Sequence, residues 1–326
     1  MNKYNKIKWY RFKVFRHIEL LEGEELVSAL EEFIEDIKEK KLDKNGFFKL
    51  FIEEMEGMIR EVKAKPKKKS RKYDPYLIPR SGDGRIALFG LSNVGKSTLM
   101  NAITNTDVKT GDYLHTTRQA HAGACEYENI SIQIVDLPGF LDFSDDWAVS
   151  KQIVRVVRTS DAILLVIDLS MNIDRQMGFL MNQLEKARLV HNGESIYKLG
   201  VIATKGDLPG SKENYQYLKE TTNIPIIPVS IKHQESLENL KKELFELLDI
   251  VRVYTKPPKE KPDTSKPFII PKEANVEYIA GKIHRDFIRN FRYARVWGSS
   301  VDFPGKHVGL DHELQDSDII EIFVKK

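Results

Sequence analysis

"GLSNVGKST", residues 90–98, follows the apolar run Ile86-Ala87-Leu88-Phe89 and leads into "LMNAITN", residues 99–105. Two glycines five positions apart, then Lys96-Ser97-Thr98, fit the spacing G-x-x-x-x-G-K-[ST]. The run before reads as a strand and the stretch after as a helix, which is the context that spacing requires. Glycine lets backbone N–H groups wrap a polyphosphate with no Cβ in the way. The helix N-terminus adds its partial positive charge. Gly90, Ser92, Asn93, Val94 and Gly95 therefore read as the cradle. Lys96 reaches the outer phosphates, and Ser97, beside Thr98, takes a magnesium ion. A glycine turn holding Lys-Ser by chance would leave the agreement of strand, loop and helix unexplained.

Outward from this loop, Arg85 to about Ile250 alternates short apolar runs with helix-length segments: "RIALF", "SIQIVDLP", "DAILLVID", "KLGVIATK", "IPIIPVS". That pattern predicts a parallel sheet with helices on both faces. "GACEYE" and "SIQIVD" flank Glu128-Asn129, which predicts a hairpin that adds one antiparallel edge strand. "IVDLPG" places Asp136 at a strand end, where it would hold the magnesium ion through water, and Gly139 where its N–H meets the γ-phosphate. "GVIATKGD" ends a further strand. Asp207 there would accept both N–H donors of guanine, a pair adenine lacks, so a buried Asp207 would stay unpaired against adenine. Lys205 lays its stem along the base, Thr204 opens the motif, and Ser230-Ile231 after "IIPV" braces Asp207 or the base. The order of these elements is that of a guanine-nucleotide switch. The alternative is an ATPase with a chance T-K-x-D.

The chain has 326 residues, 41% of them hydrophobic and 30% charged, enough apolar material for two or three domains. A formal charge of +3 drives no global attraction to nucleic acid, so any basic surface is local. Cys125 is the single cysteine, which excludes an internal disulfide and fits a reducing compartment. The longest apolar run falls far short of the roughly 20 residues that span a bilayer. A soluble, cytoplasmic protein without membrane contact is expected. Residues 23–62 show two helical periodicities, Leu26, Leu30, Phe33, Ile34 and Ile37, then Phe48, Phe51, Ile52, Met55 and Ile59, around the turn "KLDKNG". "KAKPKKKSRK" reads as a solvated basic linker. After Ile250, "VRVYTKPPKEKPD" reads as a linker or irregular entry. The last sixty or so residues read as a small α+β module with one helix near 275–291. The expected class is α/β in three parts: a helical hairpin and basic linker over 1–75, a nucleotide-binding domain over 76–250, and a C-terminal module over 251–326.

"SGDGRIALFGLSNVGKSTLMNAITNT", "VRVYTKPPKEKPD" and "YARVWGSSVDFPGKHVGLDHELQDSDIIEIF" together resemble the developmentally regulated GTP-binding (DRG) family of the Obg group, over roughly residues 75–326. The resemblance implies a P-loop GTPase domain and a C-terminal TGS domain of ubiquitin-like β-grasp fold. It makes "YLHTTRQ" the first switch, with Thr117, or failing that Thr116, on the magnesium ion. It implies GTP and GDP as ligands and action on ribosomes or RNA. Three features depart from the family. Thr204 stands where Asn is usual, offering fewer donors to brace the phosphate loop. Between Asp168 and Thr204 there is room for one helix and one strand only, so the family's inserted domain is absent. "LDFSDDWAVSKQ" replaces the glycine- and arginine-rich second switch.

Phe140 occupies the place where many GTPases carry a water-positioning Gln. The resemblance is to GTPases with a hydrophobic residue there, some of which use a potassium ion held partly by an Asn of the phosphate loop. Asn93 is the matching residue, with bracing of the first switch as its other reading. Two classes of function follow: a GTP-hydrolysing switch on ribosomes or RNA, and a guanine-nucleotide sensor with negligible turnover that reports to a protein partner. For the first, Lys282, Arg285, Arg289 and Arg292 are expected on one helical face, opposite Ile279, Ile283, Phe287 and Phe291, with the basic linker as a second contact.

Overall fold

The computed structural model describes residues 10–11, 14, 18, 21, 23–64, 78–104, 120–140, 151–187, 189–191, 194–195, 197–257 and 260–325. They fall into two compact units, residues 1–125 with 133–238 and residues 126–132 with 239–326. The elements in chain order begin with helices α1 (Gly23–Glu39) and α2 (Gly46–Lys63), then strand β1 (Gly84–Phe89), helix α3 (Lys96–Ile103), strands β2 (His121–Tyr127) and β3 (Ile130–Asp136) and helix α4 (Lys151–Arg158). Strand β4 (Ala162–Asp168), helix α5 (Ile173–Lys186), the short strands β5 (Val190–His191) and β6 (Glu194–Ser195), strand β7 (Lys198–Thr204), helix α6 (Ser211–Thr221), strand β8 (Ile226–Pro228) and helix α7 (Gln234–Leu248) follow. The C-terminal elements are β9 (Ile250–Thr255), β10 (Phe268–Pro271), α8 (Val276–Ile283), α9 (Arg285–Arg289), β11 (Phe291–Trp297), β12 (Lys306–Val308) and β13 (Asp318–Val324).

The first sheet runs β2-β3-β1-β4-β7-β8, with β1–β4, β4–β7 and β7–β8 parallel. Every residue of β1 and β4 is buried, as expected of parallel strands covered on both faces. β2 takes the sheet edge, and its two-residue link to β3 through Glu128-Asn129 permits only an antiparallel return. Parallel pairing brings the carboxyl ends of β1, β4 and β7 to one rim. The segment between Asp168 and Thr204 holds more than one helix and one strand, because β5 and β6 pair as a small hairpin after α5.

α1 and α2 bury one stripe each. Leu30, Ile34 and Ile37 meet Phe48, Phe51 and Met55, with Tyr10, Val14 and Ile18 completing the cluster. Asn45 caps α2 by accepting from the Phe47 N–H. A buried polar set ties this hairpin to the nucleotide unit. The Tyr197 hydroxyl donates to Glu54 at 3.0 Å, the Arg11 guanidinium lies 3.5 Å over the Tyr197 ring, and Arg11 Nη2 donates to the Arg158 carbonyl. Burial pushes the Tyr197 hydroxyl well above its ordinary pKa.

The second unit is built on a sheet ordered β10-β9-β13-β11-β12, its core drawn from Val251, Val253, Ile270, Val276, Ile279, Ala294, Val296 and Ile320. Two expectations are corrected here. Residues 251–255, expected as a linker or irregular entry, lie in β9, next to the centre of the sheet. The lysines and prolines that suggested a linker begin only at Lys256. The helix expected over 275–291 is broken at His284, whose backbone is extended and whose Nδ1 accepts from the Asp286 N–H to start α9. Lys282, Arg285, Arg289 and Arg292 therefore do not share one helical face. Arg292 lies on β11, and Lys282 Nζ donates to the Ile269 carbonyl. The tip of the β2–β3 hairpin also belongs to this unit. Glu128 pairs with Arg252, and Asn129 Nδ2 donates to the Tyr254 hydroxyl and the Thr264 carbonyl.

Candidate nucleotide site

The residues singled out in the sequence gather where β1, β3, β4 and β7 end. Gly90 follows β1, Asp136 closes β3, and Thr204 closes β7. Residues 90–95 turn from β1 into α3 with Asn93 at φ 63° and Gly95 at φ 96°, the latter a conformation a side chain rarely adopts. Val94 is buried beneath the loop, whereas Asn93 and Thr98 are exposed. The "DLPGF" segment zips onto it. The Ser92 N–H donates to the Phe140 carbonyl at 2.7 Å, and the Phe140 N–H donates to the Gly90 carbonyl at 3.3 Å. Gly139 is fixed by this approach: a Cβ there would sit 2.6 Å from Lys96 Nζ and 2.7 Å from Ser92 N. Phe140 turns inward. It is fully buried, edge-on to Phe89 and to Phe179. It anchors the segment to the core and offers nothing to a water molecule.

Lys96 is 6% exposed and donates from Nζ to the carbonyls of Leu91 at 2.8 Å and Gly90 at 3.3 Å. Burial pushes its pKa down to about 8, against a smaller upward pull from Asp136. The Ser97 hydroxyl donates to Asp136 Oδ2 at 2.5 Å. Asp136 Oδ1 is buried with no hydrogen-bond partner, and desolvation raises the carboxyl's pKa. A buried carboxylate oxygen without a partner is costly. Beside a serine hydroxyl, on the loop whose lysine faces the same segment, it fits a magnesium ion held directly or through water.

Thr204 braces the loop after all. Its hydroxyl oxygen lies 2.8 Å from the Val94 carbonyl and 3.0 Å from the Ile167 carbonyl. One hydroxyl proton serves these two acceptors, tying the loop to β4. Lys205, at φ 57°, is held by Asp168, with Nζ 2.7 Å from Oδ2. Asp168 is a site residue that sequence reasoning passed over. It is 2% exposed, closes β4, and also accepts from the N–H and hydroxyl of Ser170. Its signal was available, a carboxylate at the end of "AILLVID". Asp207 differs from expectation: it is exposed, not buried. Its carboxylate pairs with Lys232 at 2.5 Å, which holds its pKa below the usual carboxylate range. Lys232, not Ser230, is its partner. Ser230 instead accepts from the Lys232 N–H, and Ile231 is exposed. Thr116 and Thr117, with the rest of "YLHTTRQ", lie outside the described residues, as does 141–150.

Comparison with known proteins agrees with this arrangement. Residues 85–197 match the family model described as 50S ribosome-binding GTPase, and residues 251–324 match the TGS domain. A GTP-binding protein of Methanocaldococcus jannaschii, itself uncharacterized, is 30% identical over 77% of this chain and 81% of its own length. Developmentally-regulated GTP-binding protein 1 of Xenopus laevis is 30% identical over 76% of this chain and 84% of its own. The chain belongs to the developmentally regulated GTP-binding family. GTP-binding protein 1 of Schizosaccharomyces pombe, at 27% identity, covers 86% of this chain and 93% of its own. Family membership implies GTP and GDP as ligands of this protein, and residues 251–324 form a TGS domain. Among the described residues no helix is long and apolar enough to cross a membrane.

Proposed function

We propose that this family member hydrolyses GTP to GDP and phosphate as a molecular switch in the cytoplasm, and that it acts on ribosomes or RNA. The observation that carries the first half is the Ser97–Asp136 pair, with Asp136 Oδ1 buried and unpartnered next to Lys96. A bound magnesium ion would neutralise charge on the β- and γ-phosphates there. The chain's own residues do the rest. The N–H groups of residues 93–97 orient the phosphates, Lys96 supplies a fixed cation, and Gly139 brings a backbone N–H to the γ-phosphate. Thr117 would close over the metal from the first switch.

Phe140 is spent on the core, so no amide side chain at that position orients water. Asn93, exposed on the loop, would offer its amide oxygen to a potassium ion in place of an arginine supplied by a partner. Guanine selectivity is assigned to Asp207, with Lys205 along the base and Ser230-Ile231 at its edge. The second half of the proposal draws support from the matched description of a ribosome-binding GTPase and from the TGS domain.

Single-turnover hydrolysis of GTP with magnesium present tests the reading. Phosphate release by the unmodified protein, lost in Lys96→Ala and Ser97→Ala with the fold intact, is the expected result. Tight GTP binding without turnover, even with ribosomes added, would leave a nucleotide-sensing module that binds a protein partner.

A further inference from the structure

Residues 251–326 carry 14 Lys and Arg against 11 Asp and Glu, which accounts for the whole of the chain's formal charge of +3. With the helical stripe broken at His284, that charge needs another focus. β11 provides one. Ala294 and Val296 are fully buried in the core of the unit, so Tyr293, Arg295 and Trp297 alternate onto the opposite face.

On that face three rings stack across three strands, Tyr293 directly opposite Phe323 and His307 one step along the strand, opposite Arg295. Phe323 of β13 stacks on Tyr293 of β11 with centroids 4.6 Å apart and planes 19° from parallel. Tyr293 stacks on His307 of β12 at 4.4 Å and 12°. Neighbouring strands lie about 4.8 Å apart, so the rings rise from the sheet as a ladder with one rung per strand. Arg295 spans it. Its guanidinium lies 5.3 Å from the Phe323 centroid, and its Nε donates to His307 Nε2 at 3.0 Å. Arg292 lies 5.6 Å from the Tyr293 centroid, and Lys256 lies 5.2 Å from that of Trp297. The acidic groups nearby are already matched, Glu321 by Lys256 and Asp302 by Lys306. β12 is the last strand of the sheet and His307 is exposed, so the ladder ends on a ring with nothing stacked beyond it in the sheet order.

We propose that the Phe323–Tyr293–His307 ladder, with Arg295 and Arg292, is a platform for single-stranded RNA, an unpaired base adding the next rung on His307. The inference rests on the reading that the protein acts on RNA, and it names the surface. Parallel ring faces recognise flat bases, and the arginines meet the phosphates that connect them. An acidic peptide would use the cations but leave the ladder without purpose. Base selectivity is low, because every base has a face to stack.

The test uses the full chain and a fluorescein-labelled 12-nucleotide oligoadenylate, with a second oligonucleotide carrying 2-aminopurine to report stacking. His307→Ala is expected to weaken binding by about 5- to 150-fold, the range found for loss of one base–aromatic stack, and to abolish the 2-aminopurine quench. His307→Phe should restore both. Arg295→Gln should weaken binding and flatten the salt dependence by about 0.7 in log–log slope. These positions lie outside the nucleotide site, so GTP affinity should not change and serves as the check on folding. Equal RNA binding by His307→Ala and the unmodified protein would overturn the platform. So would full displacement of the RNA by an equal concentration of polyglutamate, which would assign the face to an acidic protein. Hydrolysis is measured on the same preparations. Loss of the platform with turnover intact rejects this inference alone, and absent turnover with the platform intact rejects only the switch.

Discussion

Lys96 gives nucleotide binding a pH dependence whose size follows from its burial. Before nucleotide binds, its pKa is about 8 instead of 10.5, because the ammonium is almost fully desolvated and Asp136 offsets only part of that. That gap corresponds to about 3 kcal/mol, which a polyphosphate recovers by facing the charge. Binding therefore takes up a proton wherever free Lys96 is neutral. Between pH 7 and pH 9 the charged fraction of the free protein falls about tenfold, and GDP affinity should fall with it. Near pH 8 about half a proton should be absorbed per GDP bound. Isothermal titration calorimetry in two buffers of different ionisation enthalpy reads both quantities. Lys96→Met should bind weakly at every pH with no such uptake. The same burial works in the opposite direction on folding. The unfolded chain holds the proton up to pH 10.5 while the folded chain releases it near pH 8, so stability without nucleotide should rise across that interval. A flat affinity from pH 7 to 9 without proton uptake would show that Lys96 is not the group facing the phosphates.

Asp207→Asn should lower GTP affinity and improve xanthosine triphosphate binding, since xanthine exchanges a donor for an acceptor; equal binding of ATP and GTP by the unmodified protein would sink the assignment. Thr204→Val removes the hydroxyl between the Val94 and Ile167 carbonyls. At about 1–2 kcal/mol for such a loss, GDP should bind roughly 5- to 30-fold more weakly in a fluorescent-nucleotide titration, and an unchanged constant would mean the hydroxyl is idle. Tyr197→Phe takes the donor from half-buried Glu54 and should cost about 1–2 kcal/mol in urea unfolding, with wild-type stability as the contrary result. Hydrolysis should be faster in potassium than in sodium at constant ionic strength, with the difference gone in Asn93→Ala; equal rates would favour an arginine supplied in trans.

The parts of the site that the sequence made legible are local. The cradle is a fixed run of residues whose geometry follows from Gly95 and from the helix after it, and Phe140 declares by its side chain that it cannot hold water. What stayed illegible lies in pairs distant in sequence. Asp168 meets Lys205 across two neighbouring strands, and Lys232 reaches Asp207 from the loop after β8. Neither partner has a fixed offset to read. The same holds for Arg11, Glu54 and Tyr197, which meet only because α1 and α2 pack onto the nucleotide unit. In the TGS domain the errors have a different cause. β9 was masked by the prolines and lysines after it. The break at His284 carries no glycine or proline, since a histidine side chain does the capping.

The distribution of these pairs says where nucleotide binding draws its strength. At the proposed base end, Asp207 and Lys205 already have ionic partners, so on this assignment guanine would displace Lys232 and share Lys205 with Asp168. Asp207 and Lys232 are both exposed, and an exposed pair contributes little to stability. Exchanging it for two guanine N–H donors therefore yields mainly discrimination, through the mismatch an adenine would leave. The phosphate end is the reverse. Lys96 and Asp136 are buried, one without a carboxylate partner in hydrogen-bond contact and the other with one oxygen unmatched. A ligand bringing negative oxygens and a divalent cation relieves both at once. Affinity should therefore track the phosphates and the metal, and selectivity the base. Substitutions at Lys96 or Asp136 should cost all guanine nucleotides alike, whereas Asp207→Asn should change which base is bound.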